Sequence, residues 1–316
     1  MNLVFNVDYQ TRFGEDIMLN LIEDGTVKKH RMSTVDGLRW SFQWQFSGDC
    51  DVLNYYYSAE YTGGSERHEW MTLTHRLELN AHKASDYTLY DRWTDIPEDA
   101  YLYSSAFSEC VNRRKPEFLP PSNYARTVRL VVRAPQLREG ERLVLIGQGK
   151  ALGDWETLQS VSMVEHNINE WVTNLDASTF EDGRMEFKFV ALSKDADATP
   201  MWETGLNRIV ELPSMQDGDV VVYHLDQAFF PLCNEKLAGT LVPVFSLRSK
   251  TSFGIGDFGD LRKMVDYVER SGQRVLQILP INDTTITHTW TDSYPYSCIS
   301  VFALHPQYAD LNQLPK

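Results

Sequence analysis

The chain has 316 residues, of which 42% are hydrophobic and 23% are charged, and this length accommodates two or three globular domains. Its net charge of −14 would repel a phosphate backbone or an anionic lipid surface, which argues against nucleic acid and membranes as partners. We find neither an apolar run near the ~18 residues of a membrane span nor a secretory signal pattern, so we expect a cytoplasmic protein. The oligomeric state is left open.

The cysteines and histidines give no sign of a metal or disulfide site. The eight histidines include no close pair at ligand spacing, and the four cysteines stand singly along the chain. We therefore expect reduced, buried thiols, no metal and no cofactor. The cysteines are Cys50, Cys110, Cys233 and Cys298.

The first two-thirds of the chain contains short segments in which apolar and polar residues alternate, with turn residues between them. This period of two predicts β-strands, and their regular spacing predicts antiparallel sandwiches. The clearest strand segments are residues 2–9, 17–21, 53–61, 128–134, 142–147 and 185–191.

The same pattern occurs twice. The corresponding features are Gly14-Glu15 with Gly140-Glu141, Trp40 with Trp171, Tyr55-Tyr56-Tyr57 with Phe187-Lys188-Phe189, and Trp70 with Trp202. We therefore predict two tandem immunoglobulin-like β-sandwiches, called here the first module (residues 1–99) and the second module (125–230). The proline-containing segment 100–124 between them reads as a linker. Trp40 and Trp171 are predicted to be core residues.

The period changes after about residue 230. Segments 238–247 and 275–280 resemble the buried strands of a parallel sheet, and 257–272 is an amphipathic helix that Asp257 should cap. Strand, helix and strand form a βαβ unit, but they are too few to bury both faces of a parallel sheet. We therefore expect region 231–316 to be the first part of a larger domain. The apolar helix residues expected on one face are Leu261, Met264, Val265 and Val268.

Two tryptophans flank a lysine-bearing strand in the second module. Trp155 follows a Gly-Asp turn and Trp202 follows a polar loop, so both indoles should be exposed. Lys188 alternates with Phe187 and Phe189, so it should point away from the core. An indole offers a flat apolar face to a pyranose ring, and a lysine donates hydrogen bonds to sugar hydroxyls. This arrangement predicts a sugar-binding site.

At these residues the second module resembles the family 20 carbohydrate-binding modules, the starch-binding domains. The motifs that match the family's first starch site are LGDWE at 152–156, EFKF at 186–189, and Trp202-Glu203 followed by Asn207. The resemblance implies that Trp155 and Trp202 stack on consecutive glucose units and that Lys188 bonds the hydroxyls between them. It also implies that Glu203 and Asn207 complete the polar edge of the site.

The first module resembles the same family less closely, because it lacks the LGDW segment and has Tyr56 in the place of the lysine. Phe13 and Trp70 are its candidate sugar contacts, and the module has either a reduced or different glycan surface or the role of a spacer. The family's second starch site uses tyrosines. The second module has Leu137, Arg138 and Glu139 there, so we expect that site to be absent or altered.

The region after about residue 233 resembles the start of the catalytic barrel of glycoside hydrolase family 77, the 4-α-glucanotransferases. The matching segments are VPVFSLRS (242–249), SFGIGDFGD (252–260), VLQILPIND (275–283) and DSYPYSCISVFALHP (292–306). Its LPINDTT and FALHP variants resemble the plant cytosolic subgroup. The resemblance implies a (β/α)8 barrel, retaining transfer of α-1,4-glucosyl units, and an α-glucan polysaccharide or maltooligosaccharide as partner. It assigns no catalytic residue here, because the family's essential carboxylates lie on later strands. Tyr296 and Ser297 are candidate substrate contacts.

The leading hypothesis is that the chain is the α-glucan-binding N-terminal region of a 4-α-glucanotransferase and is inactive alone. One alternative is a stand-alone, non-catalytic α-glucan-binding protein, and another is a pair of interaction modules that no longer bind glycan. Continuation of the reading frame beyond Lys316 into further barrel strands would favour the enzyme.

Overall fold

A computed structural model describes the chain except residues 24, 48–50, 80–85, 112–123, 196, 232–237 and 315–316 and the side chains of 110 and 111. Its contacts divide the chain into two compact units, Met1–Leu232 and Cys233–Lys316. Within the described residues the first module contains β1 (Asn2–Asp8), β2 (Glu15–Glu23), β3 (Thr26–Arg31), β4 (Ser33–Thr34), β5 (Arg39–Gln45), β6 (Val52–Tyr61), β7 (Glu66–His68), β8 (His75–Glu78) and β9 (Asp86–Arg92). The second module contains β10 (Thr127–Arg133), β11 (Glu141–Gly147), β12 (Val161–Ser162), β13 (Val164–Asn167), β14 (Glu170–Asp176), β15 (Arg184–Ser193), β16 (Met201–Trp202), β17 (Arg208–Glu211) and β18 (Val220–His224). The second unit contains β19 (Gly239–Leu241), α1 (Phe258–Arg270) and β20 (Val275–Gln277).

Each module is a two-layered β-sandwich, as the alternating pattern predicted. In the first module β2, β3, β6, β7 and β8 form one layer, and β1, β4, β5 and β9 belong to the other. In the second module β11, β12, β15, β16 and β17 face β10, β13, β14 and β18. Side chains that alternate along the strands fill the space between the layers, and each fully buried Leu or Phe stabilises the fold by about 1.5–3 kcal/mol. Representative core residues are Phe5, Leu19 and Tyr57 in the first module and Leu130, Leu145 and Phe189 in the second.

The two modules share one continuous sheet, which the tandem pattern did not predict. Strand β9 of the first module pairs with β18 of the second, in a register that runs from Tyr87–Val220 to Tyr90–Tyr223. An eight-stranded sheet results, with the order β13-β14-β10-β18-β9-β1-β5-β4. The rings of Tyr90 and Tyr223 stack across the junction with centroids 4.9 Å apart. The modules therefore form one unit, and the predicted borders at 99 and 125 stay a proposal.

Most strand pairs of the modules are antiparallel, as expected, but the shared sheet contains parallel pairs. These are β1 with β9, β10 with β18, and β9 with β18. Side chains alternate with the same period in both kinds of pair. Alternation alone therefore could not distinguish them.

The internal repeat is visible in the backbone. Gly14 and Gly140 occupy corresponding turns with φ of 88° and 80°, a left-handed conformation that glycine adopts without strain. Trp40 and Trp171 occupy corresponding strand positions and are 4% and 6% exposed, which confirms their predicted core placement.

Part of the predicted linker, 100–124, packs against both modules. Ala100–Tyr103 is a 3₁₀ helix, and Ala106–Val111 forms a short π-helical segment. The Tyr103 hydroxyl donates a hydrogen bond of 2.7 Å to Gln227 of the second module. The remaining linker residues up to 123 lie outside the described residues. The described part is therefore not a free linker, because its aromatic side chain is anchored.

The second unit contains the predicted βαβ arrangement, with shorter strands than expected. Strand β19 is parallel to β20 but ends at Leu241 rather than continuing to 247. Pro243 precedes a 3₁₀ helix at Val244–Ser246 and has no N–H for a sheet, which explains the early end. Strand β20 likewise ends at Gln277 instead of 280.

Helix α1 agrees with its prediction. Asp257 caps it, accepting a 2.9 Å hydrogen bond from the Asp260 N–H in a reciprocal capping box. Of its predicted apolar face, Val268 is buried but Val265 is 51% exposed. The strands are not buried on both faces either, since Leu241 is 58% exposed.

Cys298 is exposed, which corrects the expectation that the cysteines are buried. Cys50 and Cys233 lie outside the described residues, as does the side chain of Cys110. Among the helices that the structure describes, none has the length and apolarity needed to cross a membrane.

Candidate functional site

The predicted trio of Trp155, Lys188 and Trp202 lies on the outer face of the five-stranded sheet of the second module. Phe187 and Phe189 point into the core, so Lys188 between them on β15 points outward, as predicted. The same face carries an apolar cluster of Val144, Ile146 and Val190, each fully buried, against which Trp155 packs. One part of the half-buried indole of Trp155 therefore covers this cluster and the rest faces solvent.

A strained turn presents Trp155. Gly153, Asp154 and Trp155 all have positive φ, at 79°, 47° and 65°. For residues other than glycine this conformation costs roughly 1–2 kcal/mol, and such strain is concentrated at functional sites. A 3.0 Å hydrogen bond from the Trp155 N–H to the Gly147 carbonyl ties the turn to the end of β11.

Trp202 lies on the same face. It is in β16, directly opposite Val190 of β15, and 36% of its surface is exposed. Because Val190 also belongs to the cluster under Trp155, both indoles adjoin this one residue. Lys188 is two positions along the same strand, so the three side chains share one face.

Lys188 is held in place by backbone carbonyls. Its ammonium donates to the Glu203 carbonyl at 3.1 Å and to the Gly205 carbonyl at 2.7 Å. An ammonium has three N–H donors, and no third acceptor contacts it within the described part of the chain. One N–H is therefore left for a ligand hydroxyl.

Glu203 does not lie on the polar edge of the site, where the resemblance placed it. It is 4% exposed, and its carboxylate accepts from Arg208 at 2.9 Å and from the Phe189 N–H at 2.8 Å. A buried carboxylate is stable there because these donors compensate it. Glu203 fixes the segment after Trp202. Asn207 is exposed as expected, and its amide donates to Glu186 at 2.8 Å.

A buried glutamate in the first module matches Glu203. The Glu69 N–H donates to the Tyr57 carbonyl, and the Tyr57 N–H returns a 2.8 Å bond to the Glu69 carboxylate. Glu203 and Phe189 make the same two contacts. Tyr57 therefore corresponds to Phe189, as the repeat predicted, and Glu69 corresponds to Glu203.

This correspondence corrects the predicted match of Trp70 with Trp202. The residue before the buried glutamate is His68 in the first module, so His68 occupies the position of Trp202. Trp70 corresponds to Thr204, and both donate their N–H to a carbonyl beyond the next long strand, Trp70 to Thr94 and Thr204 to Phe229. The two hairpins differ in length by two residues. The sequence alignment of Trp70 with Trp202 did not account for this difference.

The first module does not reproduce the site. Tyr56, in the place of Lys188, is 6% exposed and packs against His68 with ring centroids 5.8 Å apart. Phe13 is fully exposed at a turn, whereas Trp70 is half-buried against Tyr103. The two candidate contacts of this module thus face different surroundings.

A buried polar cluster at the module junction escaped sequence analysis. His224 of β18 contacts the Asp91 carboxylate at 2.5 Å, and His75 contacts Glu69 at 3.2 Å. Asp91 also accepts from Tyr57 at 2.6 Å. Asp91 and His224 are 133 residues apart in the sequence and meet because β9 and β18 pair, so no local motif could reveal this contact.

The cluster stabilises charged side chains in the interior. Burial lowers the pKa of His75, but the attraction of Glu69 and Asp91 outweighs it and raises the pKa above the ordinary 6.5. Burial raises the pKa of Asp91, but His224 and His75 outweigh it and hold the pKa below 3.8. The nitrogen and oxygen atoms of His75, Asp91 and His224 lie within 4.8 Å of one another. Because hydrogen bonds already join Asp91 to His224 and to Tyr57, we assign an ion-pair cluster rather than a metal centre.

Tyr296 and Ser297 lie in an exposed loop of the second unit. Tyr296 is 59% exposed and its ring lies 5.4 Å from that of Tyr294. The Ser297 N–H donates to the Tyr294 carbonyl at 3.3 Å. The loop is accessible, and no described contact gives these side chains a ligand role by itself.

Comparison with known proteins gives one match within the second module and another within the second unit. Residues 126–222 match the family model described as the starch binding domain. A solved family 20 module from a maltotetraose-forming amylase of Pseudomonas saccharophila is 16% identical, covers 30% of this chain and 98% of its own, and has a TM-score of 0.25.

Residues 242–316 match the glycoside hydrolase family 77 model, described as 4-alpha-glucanotransferase. These two matches confirm the resemblance found in the sequence for residues 126–222 and 242–316. The 4-alpha-glucanotransferase DPE2 of Oryza sativa subsp. japonica is 31% identical over 237 residues, 71% of this chain and 24% of the relative. A 4-alpha-glucanotransferase of Chlamydia caviae is 44% identical over 77 residues, 24% of this chain and 14% of the relative. The chain thus spans a quarter or less of these relatives.

Proposed function

We propose that the chain recruits α-glucan for a 4-α-glucanotransferase and that the outer face of the second module is the binding site. Trp155 and Trp202 would stack on neighbouring glucose units, and Lys188 and Asn207 would hydrogen-bond their hydroxyls. The observation that carries this proposal is the pair of partly exposed indoles beside one lysine on a single rigid sheet.

The geometry favours binding without rearrangement. Lys188 is already fixed by two carbonyls, and the segment after Trp202 is fixed through Glu203. A site that is ordered before binding loses little conformational entropy when the ligand arrives. The strain at Asp154 and Trp155 supports a functional reason for this turn.

The expected affinity is modest. Two indoles that cover sugar faces bury on the order of 150–200 Å² of apolar surface, worth about 4–5 kcal/mol before the cost of ordering the ligand. We therefore expect dissociation constants of roughly ten micromolar to millimolar for one site. Such a weak site is sufficient for a polymer, because a chain that dissociates from one glucose unit can rebind at a neighbouring unit.

Isothermal titration calorimetry with β-cyclodextrin tests this proposal. Its curved ring of α-1,4-linked glucose units should bind in the stated range, and dextran, with α-1,6 linkages, is the matched negative ligand. The proposal would be refuted if the chain bound neither β-cyclodextrin nor maltooligosaccharides.

Glucosyl transfer is the proposed activity of the enzyme to which this region belongs. Retaining transfer requires two carboxylic groups about 5 Å apart across the scissile bond, and family 77 resemblance places them on later barrel strands. We propose that the 316-residue chain alone does not catalyse transfer, and release of glucose from maltotriose by the purified chain would overturn this. A cytoplasmic location is part of the proposal, and cell fractionation tests it.

A further inference from the structure

The first unit contains a second concave site, at the junction of its modules. A cleft of ≈ 320 Å³ is lined by Trp70 and Trp93 of the first module, Tyr103 of the predicted linker, and the imidazoles of His75 and His224. Sites for small ligands are typically ~300–1,000 Å³, mostly apolar, and contain a few convergent polar groups. This cleft has a volume in that range and combines aromatic walls with convergent polar groups.

Trp70 supplies an aromatic wall. The edge of Tyr103 packs against it with centroids 5.2 Å apart at 87°, and the Trp70 N–H donates to the Thr94 carbonyl at 2.8 Å. The second module has Thr204 at the corresponding position. The indole is therefore not required by the sandwich fold, and it places a large flat ring at the junction.

Each of the two imidazoles has a second ring nitrogen that is not used in its hydrogen bond to a carboxylate. His75 uses Nε2 toward Glu69, and His224 uses Nδ1 toward Asp91. Within the described residues, no hydrogen-bonding partner contacts Nδ1 of His75 or Nε2 of His224. His75 and His224 both line the cleft, so a ligand hydroxyl in it lies beside these two rings.

The charged residues around the cleft favour an uncharged ligand. Arg92 pairs with Asp226 at 3.1 Å, and Asp95 pairs with Arg67 at 2.6 Å. Arg133 donates to a backbone carbonyl. Glu170 also lines the cleft and lies directly opposite Arg133 on the paired strands β14 and β10. Because positive and negative groups around the cleft occur side by side, neither an anion nor a cation is favoured.

We propose that this cleft binds a terminal or single sugar unit of an α-glucan, as a site separate from the Trp155/Trp202 surface. The pyranose ring stacks on Trp70, and its hydroxyls bond the free imidazole nitrogens of His75 and His224. Hydroxyl groups both donate and accept, so they match either imidazole tautomer. The inference rests on the proposed glucan-binding function in its choice of sugar.

Calorimetry with two ligands separates the sites. Maltose fits the cleft, whereas the closed ring of β-cyclodextrin has no chain end to enter it. In the Trp202→Ala chain we expect β-cyclodextrin binding to weaken roughly 30-fold and maltose binding to remain. Adding Trp70→Thr, the residue that the second module carries there, should then weaken maltose binding at least tenfold. Trp70→Thr alone should leave β-cyclodextrin binding unchanged.

The outcomes distinguish this inference from the proposed function. Loss of all maltose binding in Trp202→Ala, or unchanged maltose binding after Trp70→Thr is added, overturns the cleft site and leaves the surface site intact. A wild-type chain that binds neither ligand overturns both the proposed function and the cleft site. Imidazole NMR signals of the wild-type chain, assigned with His75→Gln and His224→Gln, provide a readout independent of the tryptophan variants. Maltose should shift both signals and β-cyclodextrin should not, and unmoved signals with maltose would overturn the cleft site.

Discussion

Replacement of Trp202 by alanine should weaken α-glucan binding by an amount that follows from its exposure. The residue is 36% exposed, and an indole side chain offers up to about 250 Å² of surface, so about 90 Å² remains for a sugar to cover. At about 25 cal/mol per Å² this area contributes about 2 kcal/mol, or roughly a 30-fold change in Kd. Trp202 is held at the surface beside Val190, so its removal should leave the sandwich core unchanged.

Calorimetry with β-cyclodextrin, together with a thermal melt, measures this effect. Ile168→Ser is a matched control, because Ile168 is a 51% exposed apolar residue at the turn between β13 and β14, in the other sheet. The control should bind as the wild-type chain does. Binding by Trp202→Ala within a factor of three of wild type would refute the reasoning, because the indole would then not contact the sugar.

Three further predictions concern the groups that support the site and the module junction. Arg208→Met should destabilise the first unit by about 3–5 kcal/mol in urea unfolding, since it leaves a buried carboxylate uncompensated, whereas the exposed Arg184→Met should change stability by less than about 0.5 kcal/mol. Gly153→Ala should weaken β-cyclodextrin binding and stability more than Gly140→Ala: both glycines have positive φ, but a Cβ at 153 would lie 2.5 Å from a backbone carbonyl and one at 140 would meet nothing within 4 Å. The thermal stability of the chain should fall as pH rises above about 6.5, because the raised pKa of His75 gives stability that is complete below 6.5 and is lost as the folded-state pKa is passed. His75→Gln should flatten that profile, and an equally steep profile in this variant would contradict the assignment.

The sandwich fold and the glucan trio could be predicted from sequence because both depend on local patterns. Alternation along β15 sets Phe187 and Phe189 inward and Lys188 outward, and no distant contact alters that parity. The LGDW turn placed Trp155 at the surface through its glycine and aspartate, and the structure shows the left-handed backbone that such a turn uses. The ligand roles themselves stay predictions.

Sequence analysis was less successful where two segments meet in space. The burial of Glu203 depends on Arg208 five residues later, and an acidic residue directly after a partly exposed tryptophan gave no sign of it. The pairing of β9 with β18 joins two strands whose alternating pattern fits an edge or a central position equally well. The match of Trp70 with Trp202 was wrong because it relied on both residues being tryptophans, whereas the hairpins that precede them differ in length.

The two modules use one backbone device with different partners, and this difference explains why their surfaces diverge. In each module a buried glutamate receives an N–H from the longest central strand, but Arg208 compensates Glu203 and His75 takes that position beside Glu69. An arginine keeps its charge at any physiological pH and leaves the second module self-contained, with its outer face free for Trp155 and Trp202. A histidine is shorter, and its charge depends on pH. In the first module His75 therefore lies in a larger buried polar cluster, which includes Asp91 and, from the second module, His224. The polar interior of the first module therefore depends on the second module, and the same dependence creates the cleft beside Trp70.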